Sequence, residues 1–250
     1  MRSLTLCCTA VATLLSPVLL SAQEVYELRT YTTNKGKLDA LNARFRDHTV
    51  KLFEKHGMKS LGYWVPTDER SENTLIYILQ HQSRDAAKAS WKAFMQDPDW
   101  QAAYKASVAD GRLVNKVESV YMNGTDYNPK FASGKGDDDS VFELRIYTTN
   151  EGKLSNLNAR FRDHTTKLFS KHGITNVGYY TPADEPTSEN TLIYIVKHSS
   201  PEGAKKSWSA FGKDPEWKKV AKESQKDGRL LVKGGIKSTY MKATDYSPMQ

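Results

Sequence analysis

The chain repeats itself, and that repeat constrains its fold more than any other feature. Residues 25–65 and 141–181 align without a gap at an offset of 116, with 28 of 41 positions identical. The copies include Tyr26-Glu27-Leu28-Arg29 against Phe142-Glu143-Leu144-Arg145 and Phe45-Arg46-Asp47-His48-Thr49 against Phe161-Arg162-Asp163-His164-Thr165. After one inserted residue the register resumes, with residues 71–77 matching 188–194. A period this long is a whole domain, not a solenoid turn. Any fold for this chain must therefore be buildable twice.

The residues before the first copy form a separate unit. Arg2 is their only charge, residues 4–20 are mostly apolar, and Ser21-Ala22 offers a small-residue cleavage site. Residues 1–22 therefore read as a secretory signal peptide, with an uncleaved anchor as the alternative. The reading implies a periplasmic or secreted protein, with no stable membrane insertion after cleavage. Both cysteines, Cys7 and Cys8, lie in this segment. The remaining chain could form no disulfide and supply no thiolate to a metal or to catalysis. The formal net charge is +7, and loss of Arg2 leaves +6. Lys is mixed with Asp and Glu in both copies, without the localised basic face that nucleic-acid binding requires.

Each copy has the same order of elements. Residues 25–33 alternate as a strand with Val25, Glu27, Arg29 and Tyr31 on one face and Tyr26, Leu28, Thr30 and Thr32 on the other. A helix over 37–55 follows from the spacing of Leu38, Leu41, Phe45, His48, Leu52 and His56, and Gly57 stops it. Strands over 61–65 and 74–80 come next. A helix capped by Ser83 then carries Ala87, Trp91 and Phe94, and Asp97-Pro98 breaks it and starts another. A last strand spans 118–122. This is an α+β, ferredoxin-like βαββαβ unit with both helical regions on one face of an antiparallel sheet. The division is 23–123 for the first domain, 124–140 for an exposed linker rich in Gly, Asp, Asn and Ser, and 141–250 for the second. Two such units can close their open sheet faces on each other as an intramolecular pseudo-dimer, which also covers the edge strands. In that arrangement the Glu27–Arg29 and Glu143–Arg145 pairs are expected inside, between the sheets.

These residues resemble the NIPSNAP family. The likeness rests on Tyr26-Glu27-Leu28-Arg29-x-Tyr31, Gly36 before the helix, Phe45 with His48 within it, Gly62-Tyr63-Trp64, and Asp97-Pro98-x-Trp100. The second copy shows the same set in 142–147, Gly152, Phe161, His164, Gly178-Tyr179-Tyr180 and Asp214-Pro215-x-Trp217. The resemblance implies the dimeric α/β-barrel fold, here as a tandem pair, and implies no settled activity. Eukaryotic relatives are mitochondrial, a setting from which the apparent signal peptide departs.

All six histidines come as duplicated pairs: His48 with His164, His56 with His172, and His81 with His198. His48 stands out because it interrupts an apolar stripe that should face the sheet. It is either a half-buried structural histidine or an acid, base or orienting donor in an apolar cleft. The expected pocket lies between helices and sheet, around His48, Phe45, Trp91 and Phe94 in one copy and His164, Phe161, Trp208 and Phe211 in the other. Core packing alone also accounts for so many aromatics. No HExxH, no cysteine set and no facial-triad spacing appears, so no metal and no cofactor is expected. Haem on an axial His48 or His164 is a minority alternative, suggested by other proteins of the barrel class.

Two functions are open at this point. One is an exported protein that binds, or binds and modifies, a small apolar molecule between helices and sheet. Fold analogues suggest cofactor-independent oxygenation or isomerisation for a catalytic version. The other is a non-catalytic platform for a protein partner. Side chains filling the space to core density would favour the platform; a void would favour the ligand.

Overall fold

The computed structural model describes residues 23–134 and 139–249. The signal-peptide expectation falls on residues outside that set. The first half runs β1 (Val25–Thr33), α1 (Leu38–Arg44), a π-helical turn (Phe45–Thr49), α2 (Val50–Lys55), β2 (Lys59–Pro66), β3 (Thr74–His81), α3 (Arg84–Gln96), α4 (Pro98–Ser107) and β4 (Val114–Gly124). The second runs β5 (Val141–Thr149), α5 (Leu154–Arg160), a second π-helical turn (Phe161–Thr165), α6 (Thr166–Lys171), β6 (Thr175–Pro182), β7 (Thr191–His198), α7 (Pro201–Lys213), α8 (Pro215–Glu223) and β8 (Leu231–Ala243). Ser83 and Ser200 cap α3 and α7, each accepting from a backbone N–H three residues on. Asp97 and Asp214 cap α4 and α8, whose first residue is proline, by accepting from the backbone N–H two residues on.

The eight strands form one closed antiparallel barrel in the order β1-β3-β2-β8-β5-β7-β6-β4. Within each half the order is that of the ferredoxin-like unit. The halves meet at two short seams, Trp64–Pro66 of β2 against β8 and Met122–Gly124 of β4 against β6. Closure leaves no free sheet edge. The interior is one apolar cluster drawn from both halves, including Leu28, Trp64, Ile76 and Ile78 with Leu144, Tyr180, Ile193 and Ile195. Gly62 and Gly178 make this packing possible. A Cβ on either would collide with the ring of Trp64 or Tyr180, which folds back across its own strand. The expected sheet-to-sheet closure is thus the observed architecture.

The expectation that the Glu–Arg pairs face the barrel interior is corrected. Glu27, Arg29, Glu143 and Arg145 lie on the outer face, beneath the helices, where Glu27 accepts from Trp91 of α3 and Glu143 from Trp208 of α7. Alternation along β1 was sound, but the sheet is buried on both faces, so it could not say which face met the helices. The physical reason is donor supply. The barrel interior is lined by hydrocarbon and aromatic side chains, whereas the helical layer brings indole and imidazole N–H groups to a buried carboxylate.

The expected linker is also not free at its start. Thr125 N–H donates to Tyr179 O, Asn128 Oδ1 accepts from Tyr179 N–H, and Asp126 forms a bidentate pair with Arg162. The chain after β8 makes the mirror contacts: Thr244 N–H to Tyr63 O, Tyr63 N–H to Ser247 Oγ, and Arg46 to Asp245. Each half thus reaches across to clasp the other. Thr125-Asp126-Tyr127-Asn128-Pro129 repeats as Thr244-Asp245-Tyr246-Ser247-Pro248. No helix among the described residues is long and apolar enough to cross a membrane.

Candidate functional site

Between the helices and the outer face of the sheet, each half contains the same polar cluster around a buried carboxylate. Glu27 is fully buried. Its Oε1 accepts from Arg29 Nη1 at 2.5 Å and Ser119 Oγ at 2.6 Å; its Oε2 accepts from Trp91 Nε1 at 2.8 Å and His81 Nε2 at 3.2 Å. Glu143 repeats this with Arg145, Ser238 at 2.5 Å, Trp208 at 2.7 Å and His198 at 3.1 Å. Burial pushes both carboxyls up, but the hydrogen bond from the histidine, the arginine charge and the bonds from serine and tryptophan outweigh it and hold each at about 2. A carboxylate with four donors and so low a pKa stays ionised and is no proton shuttle near neutrality. Its role is to tie β1, β3 and β4 to α3, and to fix the Trp91 indole.

Above this cluster lies a cavity. In the first half it measures about 250 Å³ and is walled by Phe45, Phe53, Trp91, Phe94 and Trp100, with Arg29, Tyr31, Arg44 and Thr49 also reaching it. In the second it measures about 390 Å³, with Phe161, Phe169, Trp208, Phe211 and Trp217 as the aromatic walls and Arg160 and Thr165 in the equivalent polar places. The expected residues Phe45, Trp91 and Phe94 come together here. Trp91 and Phe94 lie edge to face with centroids 5.7 Å apart, and Phe53 links both. Phe161, Trp208 and Phe211 do likewise in the second half.

His48 and His164 are not part of either cavity, which corrects their expected place. The cause is the π-helical turn: Val50 N–H bonds to Phe45 O, five residues back rather than four. In an α-helix residue i+4 stands over residue i; here i+5 does, so Thr49 occupies the place above Arg44 that His48 would have held. Thr49 Oγ1 confirms the register by donating to Arg44 O at 3.1 Å, and Thr165 does the same to Arg160 O. His48 and His164 are turned to the exposed outer side, His48 on an open surface hollow with Asp47, Lys51 and Glu54. The axial ligand of the haem alternative is therefore outside the cavities. The other histidines are bound structurally, His56 and His172 on the capping carboxylates Asp97 and Asp214 at 2.7 Å, His81 and His198 on the buried glutamates. No histidine lines either cavity, and no metal-holding group of three or more His, Cys, Asp or Glu occurs among the described residues.

Sequence reasoning missed Arg44 and Arg160. Arg44 is 6 % exposed and Arg160 8 %, yet neither makes an ion pair among the described residues. Each guanidinium lies over tryptophan, 5.2 Å from the ring centre of Trp100 or Trp217, and bonds one serine, Ser107 or Ser224. Burial holds both pKa values below the ordinary arginine value. The available signal was their retention in Asn-Ala-Arg-Phe-Arg-Asp-His-Thr of both copies, one position from the apolar stripe.

The NIPSNAP family profile matches the chain twice, over residues 26–129 and 142–248. The chain belongs to the NIPSNAP family. This NIPSNAP chain is 27% identical over 197 residues to Protein NipSnap homolog of Dictyostelium discoideum, the match covering 78% of each. Among solved structures it resembles a protein from Lactobacillus acidophilus NCFM provisionally assigned as a monooxygenase, with a TM-score of 0.58 at 11% identity over 88% of this chain and 94% of the other. An anthrone oxidase-like protein gives 0.52 at 10% identity, covering 91% and 94%. At such identities the likeness is one of fold. Both NIPSNAP copies carry the buried glutamate, the π-helical turn and the aromatic cavity.

Proposed function

We propose that this chain is an exported binding protein for small, mainly apolar molecules, with one site between helices and sheet in each half. One observation carries the reading. Among the described residues, the large hydrophobic side chains left exposed are Met95, Tyr104, Val117 and Ile236, and every one of them lines one of the two cavities. Exposed apolar groups scattered over a surface need no explanation, but their collection around two aromatic hollows fits a ligand mouth. At about 390 Å³ the second cavity sits at the small end of the range for ligand pockets, and at about 250 Å³ the first lies just below it. They leave room for a compact guest, where a protein-interaction platform would have packed the space. Binding is favoured over chemistry because no carboxylate or imidazole lines either cavity. The monooxygenase and oxidase names of the structural neighbours belong to those proteins. Export rests on the charge and apolar pattern of residues 1–22.

Titration with a neutral dye such as Nile red, followed by quenching of tryptophan fluorescence, tests the reading. Saturable binding that weakens in Val117→Lys plus Ile236→Lys is the expected result. Absence of saturable binding, or affinity untouched by the two lysines, would overturn it.

A further inference from the structure

Within each cavity the charges do not balance. Arg29, in the lining of the first, is compensated by Glu27, and Arg145, outside the lining of the second, by Glu143. Arg44 and Arg160 are more than nine-tenths buried and face no acidic side chain, since neither cavity has an Asp or Glu in its lining. Their Nε groups have no hydrogen-bond partner among the described residues. A buried charge without a counter-charge is costly, and arginine does not escape that cost by releasing its proton. Serine and an indole face soften the cost without neutralising it. The π-helical turn begins at the residue after this arginine and seats a threonine over it on the cavity wall, Thr49 over Arg44 and Thr165 over Arg160. At the mouths stand Arg112 and Arg229, both exposed and without an ion pair among the described residues. The path inward is therefore positive, and its end is an unpaired guanidinium framed by aromatic rings.

Building on the binding reading above, we infer that the guest is a flat aromatic acid whose anionic group pairs with Arg44 in one half and Arg160 in the other, while its rings stack among the tryptophans and phenylalanines. The acid supplies the missing counter-charge, and guanidinium with carboxylate is a planar, two-bond match. Rings are favoured over an acyl chain because five Phe and Trp side chains wall each cavity, offering stacked and edge contacts that a flexible chain uses poorly.

The test is calorimetric titration of the whole chain with three probes: 2-naphthoate, the neutral 2-naphthamide of the same shape, and decanoate. Naphthoate should bind roughly ten- to a hundredfold more tightly than the amide, the range for a hydrogen bond to a charged group. The preference should persist in about 0.5 M salt, because a buried pair is screened far less than one at the mouth. In Arg44→Met plus Arg160→Met the preference should vanish because naphthoate falls to the affinity of the amide, and saturable binding of the amide shows the cavities intact. Equal affinity of naphthoate and amide for the native chain would overturn the acid and leave the binding reading standing. Loss of the preference in salt would overturn the buried arginines as its source, a result obtained on the native chain whether or not the double variant folds. Decanoate binding as tightly as naphthoate would overturn the aromatic part. Failure of all three probes would remove the binding reading and this inference with it.

Discussion

The two cavities are built on the same floor and finished with different rims. The buried glutamate, its four donors, the π-helical turn and the five aromatic walls occur in both halves, residue for residue. The rims have diverged: Tyr104 of α4 corresponds to Ala221 of α8, and Met95 of α3 to Gly212 of α7. The strand edge differs too. From Leu113 to Ser119 is six residues, whereas from the equivalent Leu230 to Ser238 is eight. The second half absorbs the two extra residues around Gly234 and Gly235. Gly234 sits at φ +72°, and a Cβ on Gly235 would run into the Thr148 carbonyl and Val232, so this bulge requires glycine. Smaller rim residues and a bulged edge go with the larger volume, about 390 against 250 Å³. The difference separates what holds the fold from what sets the size of a guest.

If the floors are equivalent, removing either should hurt equally, and this is the largest effect expected. Glu27→Ala leaves Arg29 buried without its counter-charge and strips Trp91, Ser119 and His81 of their acceptor. A loss of about 3–5 kcal/mol follows, the usual cost of breaking a buried charged pair from one side. Urea unfolding should show the same loss for Glu143→Ala. A cost under about 1 kcal/mol in one half would break the equivalence.

Acid should reach both floors at once. The carboxyls of Glu27 and Glu143 sit at about 2 when folded against an ordinary 4.5, so their contribution to stability is complete above pH 4.5 and is lost as the pH falls towards 2. Each is worth about 3 kcal/mol over that window. Because the folded values are depressed, the sign is fixed: stability must drop on acidification there, not rise. Glu143→Gln should remove one of the two equal glutamate contributions to the slope, measured as unfolding free energy against pH, and leave that of other depressed carboxyls such as Asp97 and Asp214 in place. A slope that survives intact in Glu27→Gln plus Glu143→Gln would assign it to other carboxylates.

What the sequence made legible follows the same division. Element order, caps and the closed sheet pair could be read because period-two and period-3.6 patterns, Ser83, Asp97-Pro98 and the repeat itself all express local rules. The aromatic walls were legible for the same reason: Phe45, Trp91 and Phe94 fall on helical faces that point at the sheet. The orientation of Glu27 was not, since a strand buried on both faces shows alternation without polarity of direction. Thr49 and His48 exchanged places because one extra residue in a helical turn moves every later side chain, and no residue type announces a π-turn. The clasping segments were hidden in a stretch whose Gly, Asp and Asn content resembles a linker. Only the paired Thr-Asp-Tyr-x-Pro betrays them.

The rims should be exchangeable at moderate cost. A three-ring neutral probe such as 9-anthracenemethanol should occupy the second cavity and be refused by the first. Ala221→Tyr with Gly212→Met should weaken its binding about tenfold or more, equivalent to about 1.4 kcal/mol. Tyr104→Ala should conversely admit a second molecule, raising the calorimetric stoichiometry from one to two. Met95→Gly is better left out of that variant, because glycine inside α3 costs about 1 kcal/mol of helix stability on its own. Stoichiometry unchanged by Tyr104→Ala would show that the bulged β8 edge, not the helix residue, sets the size limit.

The smallest effect belongs to the residues that the helical periodicity singled out. In an uninterrupted α-helix His48 would stand over Arg44, inside the cavity, and its replacement would disturb both packing and binding. With the π-turn in place Thr49 stands there instead, and His48 looks outward beside Asp47 and Lys51. His48→Ala and His164→Ala should therefore change stability by no more than about 0.5 kcal/mol and leave probe affinities unaltered. Thr49→Ala and Thr165→Ala should cost more than the histidine changes, since each removes a buried bond to the arginine carbonyl that holds the turn open. The comparison within one helical turn is the informative measurement. A threonine variant that is silent while its neighbouring histidine variant is not would mean that the turn is α-helical after all, with His48 in place of Thr49 over Arg44.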